Sequence, residues 1–311
     1  MQEHTLTPPL PIVEGVGPSC QWLPAGSWQT LMDYLVERFP SVDVTTWSER
    51  MAKGQVLDET GLRLKPQSAY RVGACVFYYR EIAGEKRIPF DECLLYQDEH
   101  ILVVDKPHFL PVMPSGRFLH ETLLVRLRKQ GGPDSLVPVH RLDRETAGVV
   151  LFSLNPKTRG NYTSLFRNRK VVKIYEALAP TLRGLDFPLT RRSRIVTGEP
   201  FFRMKEVEGE PNSETHVDVL QSPKKPFAGD AKLNGATLYR LNPITGRKHQ
   251  LRLHLSTLGI PIVNERLYPD TSSVDEDDFS KPLKLLARSV SFFDPLTGQE
   301  RYFESGRKLS L

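Results

Sequence analysis

The stretch His140-Arg141-Leu142-Asp143-Arg144-Glu145-Thr146-Ala147-Gly148 constrains this chain more than any other segment. It crowds charged side chains together and then runs directly into Val149-Val150-Leu151-Phe152. An apolar run of that kind reads as a buried strand. The fold must therefore deliver Asp143, flanked in sequence by two guanidiniums, to the mouth of a buried strand. A carboxylate in that position is either one partner of a structural ion pair or a chemical group.

Two later stretches bear on that choice: Lys173-Ile174-Tyr175-Glu176-Ala177, and Gly246-Arg247-Lys248-His249-Gln250-Leu251-Arg252-Leu253-His254-Leu255. Taken in order, the three resemble the pseudouridine synthases of the RluA type. That family shows HRLD-x-x-(T)(S/A)-G, then a K-x-Y-x-A strand, then G-R-x-H-Q-L-R-x-H-(L/M). The resemblance runs from about Leu94 to Phe303. Ile101-Leu102-Val103-Val104 followed by Asp105-Lys106-Pro107 is similar to the family's first motif, and Val112–Gly116 continues it with Met113 where His is common. Ile262–Tyr268 corresponds to a segment usually reading P-I-x-G-D-x-x-Y. Asn264-Glu265 replaces its Gly-Asp, which suggests an altered turn. Leu285-Leu286-Ala287 replaces a common L-H-A and is expected to lie away from the nucleophile.

The resemblance implies an enzyme that isomerises uridine to pseudouridine in ribosomal or transfer RNA. It implies an α+β fold with a mixed, mostly antiparallel sheet and a central RNA-binding cleft. The consecutive strands downstream of Leu94, not strictly alternating with helices, agree with that class. Breaking a C–N glycosidic bond develops positive charge at C1′, and a carboxylate can attack there, stabilise the charge or remove a sugar proton. The resemblance gives this role to Asp143. A carboxylate in a dry pocket stays ionised when a cation stands beside it, and the resemblance gives that place to Arg252. Tyr175 is implied to act against the target base. A stacked uridine must be flipped out to react, and Arg141 is implied to fill the vacated space or hold a flanking phosphate. His140, Lys173, His249 and Gln250 are expected to shape the site around these groups. The chemistry requires no metal and no cofactor.

Residues 1–25, rich in Pro and Gly, read as an extended arm. Residues 26–80 read as a small module. Its first helix carries Leu31, Leu35 and Phe39 at i, i+4, i+8 and stops at Pro40; its second carries Trp47 and Met51. Strands follow at Gln55–Leu57, Tyr70–Val72 and Ala74–Tyr79. Two short helices and a small strand unit resemble a divergent S4 RNA-binding module, with Arg38, Arg50 and Lys53 as its candidate phosphate contacts. Residues 81–93 read as a linker and 94–311 as the catalytic domain. Within it, helices are expected at Glu121–Gln130, from Asn155 as N-cap to Arg167, and at Arg247–Leu258. Strands are expected at Val171–Leu178 and Leu238–Leu241, with a closing hairpin of Ala287–Phe293 and Arg301–Glu304.

The formal net charge of +5 is compatible with a polyanionic partner. Basic residues cluster at Arg126-Arg128-Lys129, Arg167-Arg169-Lys170 and Arg191-Arg192-Arg194, and an acidic run at Asp275–Asp278 reads as a solvated loop. Cys20, Cys75 and Cys93 stand far apart with no CxxC or Cys/His cluster. They argue against a disulfide framework or structural zinc and for a reducing, cytoplasmic setting. No window is long and apolar enough for a membrane span, and Met1–Thr5 lacks the layout of a signal peptide. The expected partner is RNA, ribosomal before transfer RNA, bound by a monomer. His140-Arg141-Leu142-Asp143 is superficially similar to a kinase catalytic loop, but Leu142 breaks the spacing and no glycine-rich loop is present. The alternative reading is a non-catalytic RNA-binding or RNA-folding protein that retains the fold.

Overall fold

The computed structural model describes residues 8–181, 184, 186–221, 236–270 and 278–309. The start Met1–Thr5 and the acidic residues Asp275, Glu276 and Asp277 lie outside the described residues. The chain divides into two units. One comprises Met1–Glu85 with Ser115–His120 and Val125–Asp134; the other comprises Lys86–Pro114, Glu121–Leu124 and Ser135–Leu311.

In the first unit β1 (Ser19–Trp22), α1 (Leu31–Arg38), α2 (Val44–Ala52), β2 (Val56–Asp58) and β3 (Cys75–Tyr78) form an antiparallel three-stranded sheet, order β1-β3-β2, with two helices. Helix α1 begins where Thr30 and Asp33 form a reciprocal capping box, and Asp43 caps α2. The i, i+4 pairs Leu31/Leu35 and Trp47/Met51 face one core with Val56 and Val76.

Three expectations for this unit change. The arm is not a free segment, because residues 19–22 are an edge strand paired with β3. Cys20 and Cys75 form a disulfide, brought within 6.3 Å Cα–Cα by the pairing of β1 with β3; spacing along the sequence does not reveal strand neighbours. Arg50 is not an exposed phosphate contact. It is buried, its guanidinium lies 5.1 Å from the centre of the Trp47 ring, and it pairs with Glu81 at 3.2 Å. Arg38 and Lys53 are exposed.

The second unit is built on one large sheet. Its strands are β4 (Cys93–Gln97), β5 (Ile101–Lys106), β6 (Val137–Pro138), β7 (Ala147–Ser153), β8 (Val172–Pro180), β9 (Leu189–Thr197), β10 (Met204–Val207), β11 (Ser213–Gln221), β12 (Ala236–Pro243), β13 (Leu285–Phe293) and β14 (Glu300–Glu304). The order is β10-β9-β11-β12-β8-β13-β7-β5-β4, with β14 on β13 and β6 on β7. Helix α3 (Leu123–Lys129) begins in this unit, and α4 (Arg159–Arg167) and α5 (Gln250–Thr257) belong to it. Asn155 closes a turn ahead of α4, accepting from Lys157 N through its side chain, so the helix starts a few residues later than its sequence signal.

Among the described strands only β13 and β7 pair in parallel. Their register sets Ala287 opposite Gly148, and β8 sets Tyr175 opposite Ala287 on the other side. Gly148, Ala287 and Tyr175 thus form one row across the sheet. Gly148 has φ +118, and a Cβ there would overlap the Ala287 carbonyl, so glycine is required for this close approach. Every residue of β7 is buried, as its apolar run predicts.

Candidate active site

Asp143 sits on the loop that enters β7. Its carbonyl accepts from Thr146 N at 3.1 Å, closing a turn immediately before the strand. The loop is held from both ends. On one side Leu151 N donates to His140 Nε2 at 3.1 Å, and the imidazole stacks on Phe166 with centroids 4.5 Å apart. Burial lowers His140 to about 3, which keeps it neutral and able to accept. On the other side the buried Lys106 ammonium donates to the carbonyls of Pro107, Leu110 and Arg144 at 2.9, 2.8 and 3.2 Å. Burial lowers Lys106 to about 7, opposed by the charges of Glu145 and Asp143. The third of these bonds fixes the residue next to Asp143.

The cation closest to Asp143 comes from elsewhere in the chain. Arg144 pairs with Glu145 at 2.7 Å and Arg141 is exposed. Arg252 Nη1 lies 3.8 Å from Asp143 Oδ2. Side chains Gln250 to Leu255 of α5 are all buried, so Arg252 is inside the site, not at a cleft rim, and is only 3% exposed. Such a cation needs an anion, and Glu265 supplies it, accepting from Nε at 2.7 Å and from Nη2 at 2.5 Å. Burial works against the guanidinium charge, but the hydrogen bonds and charge of Glu265, with Asp143 behind them, hold its proton more tightly than usual.

His249 precedes α5 with φ +55, a left-handed conformation that aims its ring at Asp143. Its Nε2 is 4.0 Å from Asp143 Oδ1 and its Nδ1 is 2.9 Å from the Tyr268 hydroxyl. Burial lowers His249 to about 4, against the pull of Asp143, so the ring is neutral near pH 7. Gln250 accepts from the Thr245 hydroxyl at 2.6 Å and donates to Glu214 O and Thr215 Oγ1 at 2.9 Å, tying the helix start to β11.

Strand β8 presents Lys173 and Tyr175 on one face, two residues apart. Burial, and then the charge of Asp143, push the Tyr175 hydroxyl above its ordinary range, so it stays protonated. Burial and Arg169 lower Lys173 to about 8, and its ammonium donates to Thr245 O at 3.3 Å. Asp143, Tyr175, Arg252, His249, Lys173 and Arg141 line one cleft of about 100 Å³. A wider cleft of about 440 Å³ shares Arg141, Lys173, Tyr175 and Arg247 with it and adds Arg167 and Arg169. A small polar pocket thus opens beside a wall of cations, suited to an extruded base and its phosphates. A cavity of about 1080 Å³ includes Glu265 and Tyr268 but not Asp143, so volume does not locate the chemistry.

The structure therefore brings Asp143, Tyr175, Arg252, Arg141, Lys173, His249 and Gln250 together, with His140 behind the loop. Four contributors were not assigned from sequence. Glu265 and Tyr268 fall in the segment that aligned as P-I-x-G-D-x-x-Y, a signal that marked the stretch but not its contacts. Leu285 lines the Asp143 cleft, and Ala287 lies in the row beside Gly148, so this segment is not remote from Asp143. The sequence around it shows no reason for that, because the parallel pairing of β13 with β7 creates the proximity.

Residues 100–257 match the sequence profile of the RNA pseudouridylate synthase family. An uncharacterized RNA pseudouridine synthase of Synechocystis is 28% identical over 244 residues, covering 76% of this chain and 79% of the relative. The dual-specificity RNA pseudouridine synthase RluA of Vibrio vulnificus is 33% identical over 211 residues, covering 65% of this chain and 78% of the relative. Among solved structures, human RNA Pseudouridylate Synthase Domain Containing 1 superposes with a TM-score of 0.56 at 25% identity, covering 70% of this chain and 84% of that one.

Proposed function

Because this chain belongs to the RNA pseudouridylate synthase family, we propose that Asp143 is the carboxylate that acts on the ribose of the target uridine, with Arg252, Tyr175 and Arg141 in distinct supporting roles. The enzyme is an RNA pseudouridine synthase. Its reaction breaks the N1–C1′ bond, turns the uracil and forms C5–C1′. The proton leaving C5 is balanced by one gained at N1. The observation that carries the assignment is the Asp143 carboxylate 3.8 Å from a buried guanidinium that is itself anchored by Glu265.

Asp143 meets the positive charge developing at C1′, by attack there or by removal of a sugar proton. Arg252 aims the carboxylate from 3.8 Å. The Tyr175 ring lies against the extruded base, a contact worth about 1–3 kcal/mol per stacked base. Its hydroxyl, protonated at working pH, serves as a proton donor and not as a base. Arg141, exposed where the two clefts meet, enters the space left by the flipped nucleotide or holds its phosphate. Arg167, Arg169, Lys173 and Arg247 receive the backbone on either side.

The substrate we favour is large-subunit ribosomal RNA before transfer RNA. The S4-like reading of residues 26–80 supports this, with Arg38 and Lys53 as its exposed cations; such modules are commoner among the ribosomal RNA enzymes. We take the enzyme to act as a monomer; the cytoplasmic expectation loses its ground in the cysteines, because Cys20 and Cys75 form a disulfide. Pseudouridine mapping of total RNA from cells with and without the gene tests the substrate. Loss confined to ribosomal sites, restored by the wild-type gene, is expected. Loss confined to transfer RNA overturns the ribosomal assignment.

A further inference from the structure

The β9–β10 hairpin ends in side chains that the uridine site does not use. Phe201 is 81% exposed and Phe202 38%, their rings edge to face with centroids 5.8 Å apart. Phe201 is the most exposed large apolar side chain among the described residues. The tip is not a misplaced part of the core. Lower in the same hairpin Ile195 is buried with Leu253 and Tyr268. The turn itself is ordered by hydrogen bonds from Gly198 N to Arg203 O at 3.0 Å and from Arg203 N to Pro200 O at 2.8 Å.

Three cations and the exposed Glu199 stand near the two rings. Arg194 and Lys205 are exposed on the strands below them, and Arg203 follows them directly. Of the nearby acids, Glu206 is held by Arg191. The base of the hairpin is tied to the catalytic loop through one tyrosine. Met204 N donates to the Tyr268 hydroxyl at 2.8 Å, and the Arg203 guanidinium lies 5.3 Å from the centre of that ring. The same hydroxyl meets His249 Nδ1 at 2.9 Å, and His249 Nε2 is 4.0 Å from Asp143. The base of the hairpin is therefore joined to Asp143 through two side chains, Tyr268 and His249.

We infer that Phe201 and Phe202 form a stacking platform for an unpaired nucleobase of the substrate RNA flanking the target uridine, with Arg194, Arg203 and Lys205 on the adjoining phosphates. This rests on the assignment of the Asp143 cleft as the uridine site. Every base has a π face, so an aromatic tip binds unpaired RNA without regard to sequence. Cations beside it neutralise the backbone on which that base is carried.

The test uses the full-length enzyme and two fluorescent RNA probes, a hairpin with a seven-uridine loop and a blunt duplex with the same stem. The double variant Phe201→Ala/Phe202→Ala should bind the hairpin roughly 5- to 150-fold more weakly, the equivalent of about 1–3 kcal/mol. It should bind the duplex as the wild type does, with the salt dependence for the hairpin unchanged, because the lost contact is uncharged. Lys205→Ala should reduce that salt slope by about one. Phe201→Tyr/Phe202→Tyr, which keeps both rings, should retain hairpin affinity and separates stacking from a folding defect. Equal loss on both probes, or no loss on either, overturns the platform. A change in sedimentation without a change in RNA affinity assigns the tip to self-association instead. Asp143→Asn should bind both probes normally while forming no product, so failure of the catalytic assignment shows in product formation and failure of the platform in binding.

Discussion

Replacing Glu265 with glutamine is the sharpest perturbation of the site that leaves Asp143 in place. Glu265 Oε1 accepts from the backbone N–H groups of Arg266 and Leu267 at 2.9 and 2.8 Å, while Oε2 faces Arg252 Nε at 2.7 Å. The glutamine oxygen will keep the two backbone donors. That puts the new amide group where Oε2 stood, donor against donor, and removes the charge that offsets a guanidinium only 3% exposed. Breaking a buried pair from one side costs about 3–5 kcal/mol, a large share of a typical stability of about 5–15 kcal/mol. Arg252 then keeps one hydrogen bond, from Nη2 to the remaining oxygen, and has only Asp143 at 3.8 Å as an anionic partner. A guanidinium closing that gap occupies the carboxylate, and a displacement on the order of 1 Å costs about 100-fold in rate.

Urea unfolding and single-turnover release of tritium from RNA labelled at uridine C5 measure the two effects. The double variant Arg252→Met/Glu265→Gln removes both charges and should be less destabilised than Glu265→Gln alone, though inactive. Glu265→Gln with stability within about 0.5 kcal/mol of wild type, or a double variant destabilised by the full sum of the singles, would refute the reasoning.

Gly148→Ala should prevent proper closure of β7 on β13 and destabilise the fold severely, since both a positive φ and the Ala287 carbonyl oppose a side chain there; thermal unfolding checks this, and a melting point near wild type would contradict the row geometry. Lys173, lowered to about 8, is a cation below that pH and is lost as pH rises through it. RNA affinity should therefore fall between about pH 7 and about pH 9, and Lys173→Arg should flatten the profile. The folding term has the opposite sign, because the unfolded lysine holds its proton to about pH 10.5, so stability rises from about pH 8 to about pH 10.5. Tyr175→Phe keeps the ring and should keep RNA affinity, while product formation drops by about 100-fold or more if the hydroxyl transfers a proton; an unchanged rate would leave the ring alone as its contribution.

Much of the site was readable from residues because its members lie in short contiguous stretches. His140–Gly148, Lys173–Ala177 and Gly246–Leu255 each fold as one local element, and periodicity placed most of the helices near their observed positions. What was not readable depends on contacts between distant segments. Strands β9 and β11 escaped notice because their inward positions include Ser193, Ser213 and Thr215, which hydrogen-bond the buried His254 at about 3.0 Å, so no apolar alternation marks them. Arg50 reads as an exposed cation on a short helix, but its three-methylene stem carries the guanidinium over Trp47 into the smaller unit's interior. Glu265 looked like a turn variant. Only the meeting of α5 with the turn after Ile262 makes it the anion that fixes Arg252, and only strand pairing joins Cys20 to Cys75.

The central claim is that Asp143 is required for chemistry and not for holding RNA. Tritium release from RNA labelled at uridine C5, prepared from cells lacking the gene, should be measured with purified wild type and Asp143→Asn, alongside the binding of each to the same RNA. The account predicts release by wild type, none by Asp143→Asn, and equal affinity for both. Release by Asp143→Asn at a rate near wild type would contradict it.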